Sequence, residues 1–448
     1  MLRYYVCFSA IRLFPNIMKN WLIFCTYCLL VLAMSCTSSK TLKKARENSA
    51  ASNKALTSAV SPNELTIVGL KTKFLSKDSN FVTVFLRADL SRNGGGGVRL
   101  KEFAERFTLN YVIYPDFASR ERLGYGNVPF TEANTTQTGA AQFMIRFDVK
   151  KPANQVTGVL LSELSEIGTV KKVLNDLQIR FKAAKVSDRL GLFERSGNVP
   201  LLQNYVTVND TFMIRGATKQ SKNLHVLRYK HDFDPAVPPM NTSPRNAART
   251  LDVDTTFLLN TDTPIVLREE GLYFMVEDTL DAYGIGITVA NKRFPKMTRP
   301  AELVRPVMYM SQSQEINNLL NAKDSKKELD LYWLTLMSGN VDIAKRTIKI
   351  FYERVEESNR LFTTYKEGWK TDKGMVYIVL GPPNKVQRSR DREVWMYAQS
   401  QNFSEIIFTF NRKPNQFTEN YYELVRYPEY QAYWYPFVEA WRTGNVVE

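Results

Sequence analysis

The stretch of residues 368–384 constrains the fold of this chain more than any other part of the sequence. Its early residues favour a turn, because the side chain of Asp372 can accept hydrogen bonds from nearby backbone and Gly374 tolerates positive φ. Residues 375–380 form an apolar run that predicts a β-strand, and residues 381–383, Gly-Pro-Pro, end it. The stretch contains no nucleophile motif, metal cage or phosphate loop. It therefore predicts architecture rather than a reaction.

Several short motifs surround this stretch in a fixed order. Residues 368–372 read Gly-Trp-Lys-Thr-Asp, residues 359–362 read Asn-Arg-Leu-Phe, and residues 393–397 read Glu-Val-Trp-Met-Tyr. Together they resemble the GWxTD-domain proteins of Gram-negative bacteria, from about Ser325 to the C-terminus. The resemblance implies an architecture but no agreed activity. The motif residues expected to have structural roles are Gly368, Trp369, Thr371, Asp372, Gly374, Tyr377, Gly381, Pro382, Pro383, Trp395 and Tyr397.

The length of the chain limits the number of domains, and its residue counts exclude some kinds of functional site. The chain has 448 residues, which at roughly 150 residues per domain predicts about three domains. All four cysteines lie within the first 36 residues, so the rest of the chain has no thiol chemistry. There are only two histidines, His225 and His231, which excludes a histidine-rich zinc or iron site. We expect no metal and no cofactor.

Residues 1–35 are predicted to be a lipoprotein signal peptide. Lys19 precedes an apolar run at residues 21–32, and the small-residue segment that follows ends at Cys36. This segment resembles a lipobox, which would make Cys36 the acylated N-terminus of the mature protein. Translation starting at Met18 would give the same signal. The alternative is an uncleaved anchor, but a span needs about 20 apolar residues and this run is shorter.

The mature chain is predicted to be basic and tethered to a membrane. Removal of residues 1–35 lowers the net charge from +15 to +12. Residues 36–62 are rich in Ser, Ala, Thr and Lys and predict a flexible tether. A basic lipoprotein of the envelope meets anionic lipid and cell wall, so we expect no nucleic-acid partner. In some lineages that carry the family which this chain resembles, an acidic cluster just after the acylated cysteine marks export to the outer face. This chain has no such cluster, which favours an outer-membrane anchor facing the periplasm.

Two all-β domains are predicted between the tether and the C-terminal module. Residues 63–190 alternate apolar and polar side chains in several short segments, which predicts a β-sandwich of immunoglobulin-like type. Residues 191–305 repeat this style with six further strand candidates and many prolines. His225 and His231 lie in this region, and polar surface is the preferred interpretation over a metal pair.

Residues 306–448 are predicted to be an α+β module. The apolar period becomes helical near Met310, and residues 341–362 form the longest amphipathic pattern. Three strand candidates follow at residues 393–398, 405–411 and 421–426. Short connections favour antiparallel pairing of these strands with residues 375–380. The expected result is a four-stranded antiparallel sheet covered by helices.

Three charged residues are weak catalytic candidates. Asp372 could act as a general base, Glu393 could be a second carboxylate, and Arg360 could clamp an anion. The structural interpretation is preferred, because no nucleophile and base occur at an informative spacing. In that interpretation Asp372 holds the turn and Trp369 closes the core.

The C-terminal tail carries a second candidate site, an aromatic stripe. Spacings of three, one, three and four residues place its rings on one side of a helix that Pro436 would interrupt or restart. The stripe either packs in the core or forms a partner surface that could stack on sugar rings. Its residues are Tyr430, Tyr433, Trp434, Phe437 and Trp441.

These patterns favour a non-enzymatic scaffold or adaptor of the cell envelope that binds another envelope protein or a cell-wall component such as peptidoglycan. Two alternatives remain open. One is a hydrolase or transferase acting on envelope polymers through a cleft containing Asp372, and the other is a carbohydrate-binding module using the tail aromatics. The sequence does not indicate an oligomeric state.

Overall fold

A computed structural model of the chain describes residues 64–218, 220–243, 250–398 and 405–446. The predicted signal peptide, Cys36 and the predicted tether lie outside the described residues. The described part of the chain has no helix long and apolar enough to cross a membrane. The described part is mostly β, with several antiparallel sheets, and its helices concentrate toward the C-terminus.

The first β region contains two four-stranded antiparallel sheets with the strand orders β1-β2-β6-β5 and β4-β3-β7-β8. The alternating sequence pattern explains them, since Val82, Val84 and Leu86 face the same buried cluster as Leu109 and Leu160 of the other sheet. Its strands are β1 Leu65–Ser76, β2 Phe81–Arg92, β3 Phe107–Tyr114, β4 Gly124–Val128, β5 Thr135–Gly139, β6 Gln142–Lys150, β7 Thr157–Glu166 and β8 Lys172–Arg180, and helix α1 is Leu100–Arg106.

The second β region contains a three-stranded sheet, β14-β11-β9, and a five-stranded sheet, β10-β16-β15-β12-β13. All six strands predicted here are confirmed, whereas β9 and β10 were not predicted. Strand β10 pairs with β16 in parallel, a long-range contact that no local pattern encodes. The elements are helix α2 Val186–Arg189, β9 Leu190–Glu194, β10 Tyr205–Thr207, β11 Thr211–Gly216, β12 Asn223–Tyr229, β13 Thr255–Asn260, β14 Ile265–Val266, β15 Gly271–Val276 and β16 Ile285–Ala290.

Helices dominate the next part of the chain. They are α3 Pro300–Leu303, α4 Ser313–Leu320, α5 Ser325–Leu336 and α6 Val341–Phe362, with 3₁₀ turns at Pro306–Tyr309 and Gly368–Lys370. The long predicted helix at residues 341–362 is confirmed at both ends. The side chain of Asn340 caps its N-terminus by accepting hydrogen bonds from the amides of Asp342 and Ile343.

The prediction of a strand at residues 375–380 is wrong, because Asp372–Leu380 forms helix α7. The hydroxyl of Thr371 accepts a hydrogen bond from the amide of Gly374 and so caps the helix, and Gly381, at φ 87°, ends it. The run is apolar throughout because most of α7 is buried in the core. A short buried helix and a buried strand have the same composition, and only the surroundings decide between them.

The predicted four-stranded antiparallel sheet is confirmed, with a different first strand. It has the order β17-β18-β19-β20, and β17, rather than residues 375–380, pairs with β18. Helix α8 follows it and runs through Pro436 without a break, so the predicted interruption is wrong. The carbonyl that Pro436 leaves unpaired belongs to Ala432, which is exposed to solvent. The elements are β17 Lys385–Arg388, β18 Arg392–Tyr397, β19 Ile406–Arg412, β20 Tyr422–Leu424 and α8 Tyr430–Thr443.

Phe417, in the loop between β19 and β20, joins the C-terminal sheet to the second β region. Its carbonyl accepts a 3.0 Å hydrogen bond from the amide of Gly286 in β16. Its ring lies 5.2 Å from that of Phe274 and 5.6 Å from that of Tyr229. The loop therefore extends the five-stranded sheet and shares an apolar cluster with it.

We expect Phe417→Ala to lower the free energy of unfolding by about 3–5 kcal/mol, because it leaves a cavity among buried rings. Chemical denaturation of the purified protein measures this change. Tyr435→Ala is the matched control, because the ring of Tyr435 is 53% exposed on α8. Equal effects of the two substitutions would contradict the anchoring role of Phe417.

Candidate functional site

The carboxylate of Asp372 is buried and fully engaged inside the protein. One oxygen lies 2.6 Å from a guanidinium nitrogen of Arg426, and the other accepts a 2.7 Å hydrogen bond from the amide of Leu424. Since Leu424 lies in β20, these bonds attach the N-terminus of α7 to the edge of the C-terminal sheet. Asp372 is not among the residues that line the large cleft described below.

Trp369 is also buried, at 1% exposure, and its backbone is held on both sides. Its amide donates to the side chain of Asn359 in α6, and its carbonyl accepts from the hydroxyl of Tyr309. The guanidinium of Arg305 lies 5.5 Å from the centre of its ring. The tryptophan thus links the long helix α6, the first turn of α7 and the segment around Tyr309.

Two glycines of the motif allow a close backbone approach. A Cβ on Gly368 would lie 2.0 Å from the carbonyl oxygen of Ser358, and a Cβ on Gly374 would lie 1.9 Å from the carbonyl oxygen of Gly368. Both distances are shorter than any real contact of a Cβ atom. A side chain at either position would therefore separate α6 from α7.

The remaining motif residues continue this internal network. The hydroxyl of Tyr397 donates to the carbonyl of Gly381, and the indole of Trp395 donates to Glu393. The ring of Tyr377 packs edge-on against Phe362 at 5.6 Å. Pro382 is exposed, and Pro383 lies at the rim of the cleft.

The three candidate catalytic residues do not converge on one point. Glu393 lies 2.8 Å from the ammonium of Lys373 in an ion pair, whereas Asp372 points to Arg426. Burial opposes ionisation of Glu393, but the charge and hydrogen bond of Lys373 outweigh it and lower the pKa of Glu393. Arg360 is exposed and pairs with Glu357. The arrangement therefore lacks a pair of facing carboxylates.

The tail aromatics contribute mainly to the core. Tyr430, Trp434 and Trp441 are buried, and Tyr433 and Phe437 are half-buried against the same cluster. The indole of Trp441 donates a 3.0 Å hydrogen bond to the carbonyl of Val379 in α7, so this end of α8 covers the motif helix. The stripe predicted from sequence is a packing face over most of its length.

A cleft of about 780 Å³ lies where the first β region, the second β region and the C-terminal module meet. Strands β1 and β8, residues 202–205, the end of α6, helix α7 and the C-terminal sheet line it. Its volume is in the range of sites for small ligands. Glu393 and Arg360 line the cleft, so two of the three candidate residues do reach it.

One side of the cleft, here called the balanced wall, has its charges paired. Asp176 lies 3.0 Å from Arg388, and Glu419 bridges Arg412 and Arg180 at 3.1 and 3.3 Å. Together with the pair of Lys373 and Glu393, these contacts engage every carboxylate that lines the cleft. Each carboxylate of the balanced wall therefore has an ion-pair partner.

A second group of lining residues, here called the positive wall, consists of Lys71, Lys73, Arg87 and Arg360. Arg87 pairs with Asp89 and Arg360 with Glu357, but among the described residues neither lysine forms an ion pair. Burial lowers the pKa of Lys73 to about 8. Burial and the charge of Arg87 also lower the pKa of Lys71. Desolvated cations that lack an ion-pair partner make the positive wall a candidate functional site.

Sequence reasoning did not find the positive wall. Lys71 and Lys73 are two residues apart in β1, which places them on one face, but this pattern also describes a solvated strand. Tertiary packing changes their surroundings: Gly191 of β9 leaves room for the end of Lys73, and Arg87 of β2 lies opposite Lys71. No group of three or more potential metal ligands lies together in the described part of the chain, and His225 and His231 are exposed.

Residues 271–443 match the family model of the GWxTD domain. The match begins upstream of Ser325, at the first residue of β15, and so includes β15 and β16, two of the strands that contact the loop around Phe417. A search of curated proteins finds no match to the chain.

We expect Asp372→Asn to lower the free energy of unfolding by about 3–5 kcal/mol, because it leaves the charge of Arg426 unpaired in a largely buried position. Denaturant titration measures the loss, and Asp391→Asn, at an exposed turn, is the control. Full stability combined with loss of cellular function would instead assign Asp372 a direct functional role.

We expect Lys73→Met to raise the free energy of unfolding at pH 7 by about 1 kcal/mol, because it removes a charge whose burial is unfavourable. This value is smaller than the pKa shift alone would give, because the side chain is partly hydrated. The folded pKa of about 8 lies below the ordinary 10.5, so the destabilising effect of Lys73 is full below pH 8 and disappears as the pH rises to 10.5.

Denaturation at pH 7 and pH 10.5 tests this expectation. The advantage of Lys73→Met over the wild type should vanish at the higher pH. Lys385→Met removes an exposed lysine and should change stability by less than about 0.5 kcal/mol at either pH. A Lys73→Met protein less stable than the wild type at pH 7 would show that the ammonium is paired.

Proposed function

We propose that this chain, which belongs to the GWxTD-domain proteins through residues 271–443, is a non-enzymatic scaffold or adaptor of the cell envelope. It binds another envelope protein or a cell-wall component. One observation carries the proposal: the carboxylates suited to catalysis are engaged in internal ion pairs, while the cleft between the three regions keeps unpaired cations. Such a cleft is suited to holding a ligand rather than to transferring its protons.

The proposed location is the periplasmic face of the outer membrane. Acylation at Cys36 would anchor the protein there, and residues 36–62 would let the body reach its partner at a distance from the lipid. The net charge of the mature chain would favour anionic surfaces. The proposal includes a membrane contact through lipid and no nucleic-acid partner.

The two β regions are proposed to be immunoglobulin-like sandwiches. The orders β1-β2-β6-β5 and β4-β3-β7-β8 correspond to an ABED sheet facing a CFG sheet with an added C′ strand. In the second region, the corresponding sheets are β9-β11-β14 and β10-β16-β15-β12-β13. Paired sandwiches of this kind act as spacers and present loops to partners, which agrees with a scaffold.

The alternatives receive less support from the contacts. A polymer hydrolase would need Asp372 in the cleft, but Asp372 pairs with Arg426 and does not line it. A carbohydrate-binding tail would need exposed rings, but Tyr430, Trp434 and Trp441 are buried. Both alternatives would therefore require a rearranged C-terminal module.

Crosslinking in cells, followed by purification of the full-length protein and intact-mass analysis, tests the proposal. We expect a diacylated Cys36 at the N-terminus and one envelope protein or peptidoglycan fragment captured in stoichiometric amount, which reciprocal purification should recover. Cys36→Ser should abolish acylation and Cys28→Ser should not, because the latter lies within the removed segment. An unmodified N-terminus would overturn the anchor, and failure to capture any partner would overturn the scaffold.

A further inference from the structure

We propose that the positive wall of the cleft binds a phosphate monoester group, with Lys71 and Lys73 as its principal ligands and Arg87 and Arg360 beside them. The inference rests on the proposed function, because it names the chemistry of a ligand that the scaffold would hold. The phosphate belongs either to a soluble molecule or to a lipid headgroup, and the experiment separates these two sources.

The two lysines are positioned to act together. They alternate along β1, so both side chains leave the same face, with backbone positions about 7 Å apart. Arg87 of the neighbouring strand β2 lies directly opposite Lys71 in the sheet register. An anion placed between these side chains would contact ammonium groups on two sides.

The positive wall destabilises the fold in the absence of an anion. Lys71 and Arg87 are like charges opposite each other on neighbouring strands, and Asp89, which pairs with Arg87, offsets only part of the effect, since the pKa of Lys71 stays lowered. Further along the same face, Leu75 and Phe85 pack against Phe193 of the second β region, which buries the surroundings of the lysines. A bound anion would remove both the repulsion and the unfavourable burial of charge.

Phosphate suits this wall better than a carboxylate. Two unpaired ammonium groups match a doubly charged anion, whereas a carboxylate would neutralise only one of them. Lysine binds phosphate as a point charge from several directions, and a flanking arginine adds directional donors. Tyr205 also lines the cleft. Burial raises the pKa of Tyr205, and the charges of Arg360 and Arg87 oppose this rise, which places both arginines near the tyrosine.

The volume of the cleft and its aromatic lining favour a small ligand over a folded protein partner. A volume of about 780 Å³ accommodates a phosphorylated sugar or a lipid headgroup. The half-buried ring of Tyr377 also lines the cleft and provides aromatic surface on which the uncharged part of such a ligand could rest. The phosphate would thus occupy one side of the cleft and its substituent the other.

Calorimetric titration of the full-length protein with glycerol 3-phosphate, and with acetate at equal ionic strength, tests the inference. The double variant Lys71→Met/Lys73→Met should weaken phosphate binding by at least about tenfold, the effect of losing charge-assisted hydrogen bonds. The control Lys345→Met/Lys349→Met removes the same charge from the exposed face of α6 and should change binding less than about twofold.

Flotation with phosphatidylcholine vesicles, with and without phosphatidic acid, separates the sources. If the ligand is a lipid headgroup, phosphatidic acid should increase binding of the wild type to vesicles, the double variant should lose this increase, and glycerol 3-phosphate should compete poorly. If the ligand is a soluble molecule, only the titration should distinguish the double variant from its control. Equal binding of acetate and phosphate, or equal behaviour of the double variant and its control with both probes, would overturn the site. The scaffold proposal is judged separately, by whether the double variant still captures its partner in cells.

Discussion

The close approach of helix α6 to helix α7 is the constraint on which the C-terminal module depends. Gly368 and Gly374 permit it, since a Cβ on either would overlap backbone atoms. The side chain of Asn359 then reaches the amide of Trp369, and Asp372 reaches Arg426 and the amide of Leu424. One tight crossing thus fixes the helices, the buried tryptophan and the edge of the sheet relative to each other.

This crossing explains why Trp369 and Asp372 do not line the cleft. Their polar groups are used to hold the module together, and the carboxylate of Asp372 is neutralised internally. The cleft arises instead where the module meets the two β regions, and residues from β1, β8 and the C-terminal sheet line it. Trp369 and Asp372 therefore hold the module together, while strand β1 of the first β region supplies the two lysines that line the cleft.

Local patterns predicted much of the fold. Alternating side chains identified the strands of both β regions, and a sustained helical period identified residues 341–362, because such segments bury one face and expose the other. Prediction from periodicity failed for residues 375–380, where every residue except Tyr377 is buried and the periodic signal is lost. It also failed for the tail helix, where exposure of Ala432 lets the helix tolerate Pro436. Periodicity reports the boundary between core and solvent, and it is silent where no such boundary exists.

The sequence by itself determined the β-rich composition of the chain, the helical segment before the motif, and the presence of a family signature built from Gly368, Trp369 and Asp372. Tertiary structure alone decided what these residues contact and which charges remain unpaired. In the sequence Lys71 and Lys73 resemble ordinary strand lysines, but in the fold the end of Lys73 lies against Gly191 of β9 and burial lowers its pKa. Hydration and pairing depend on segments distant in the chain, so the chemical character of a charged residue is a property of the folded protein.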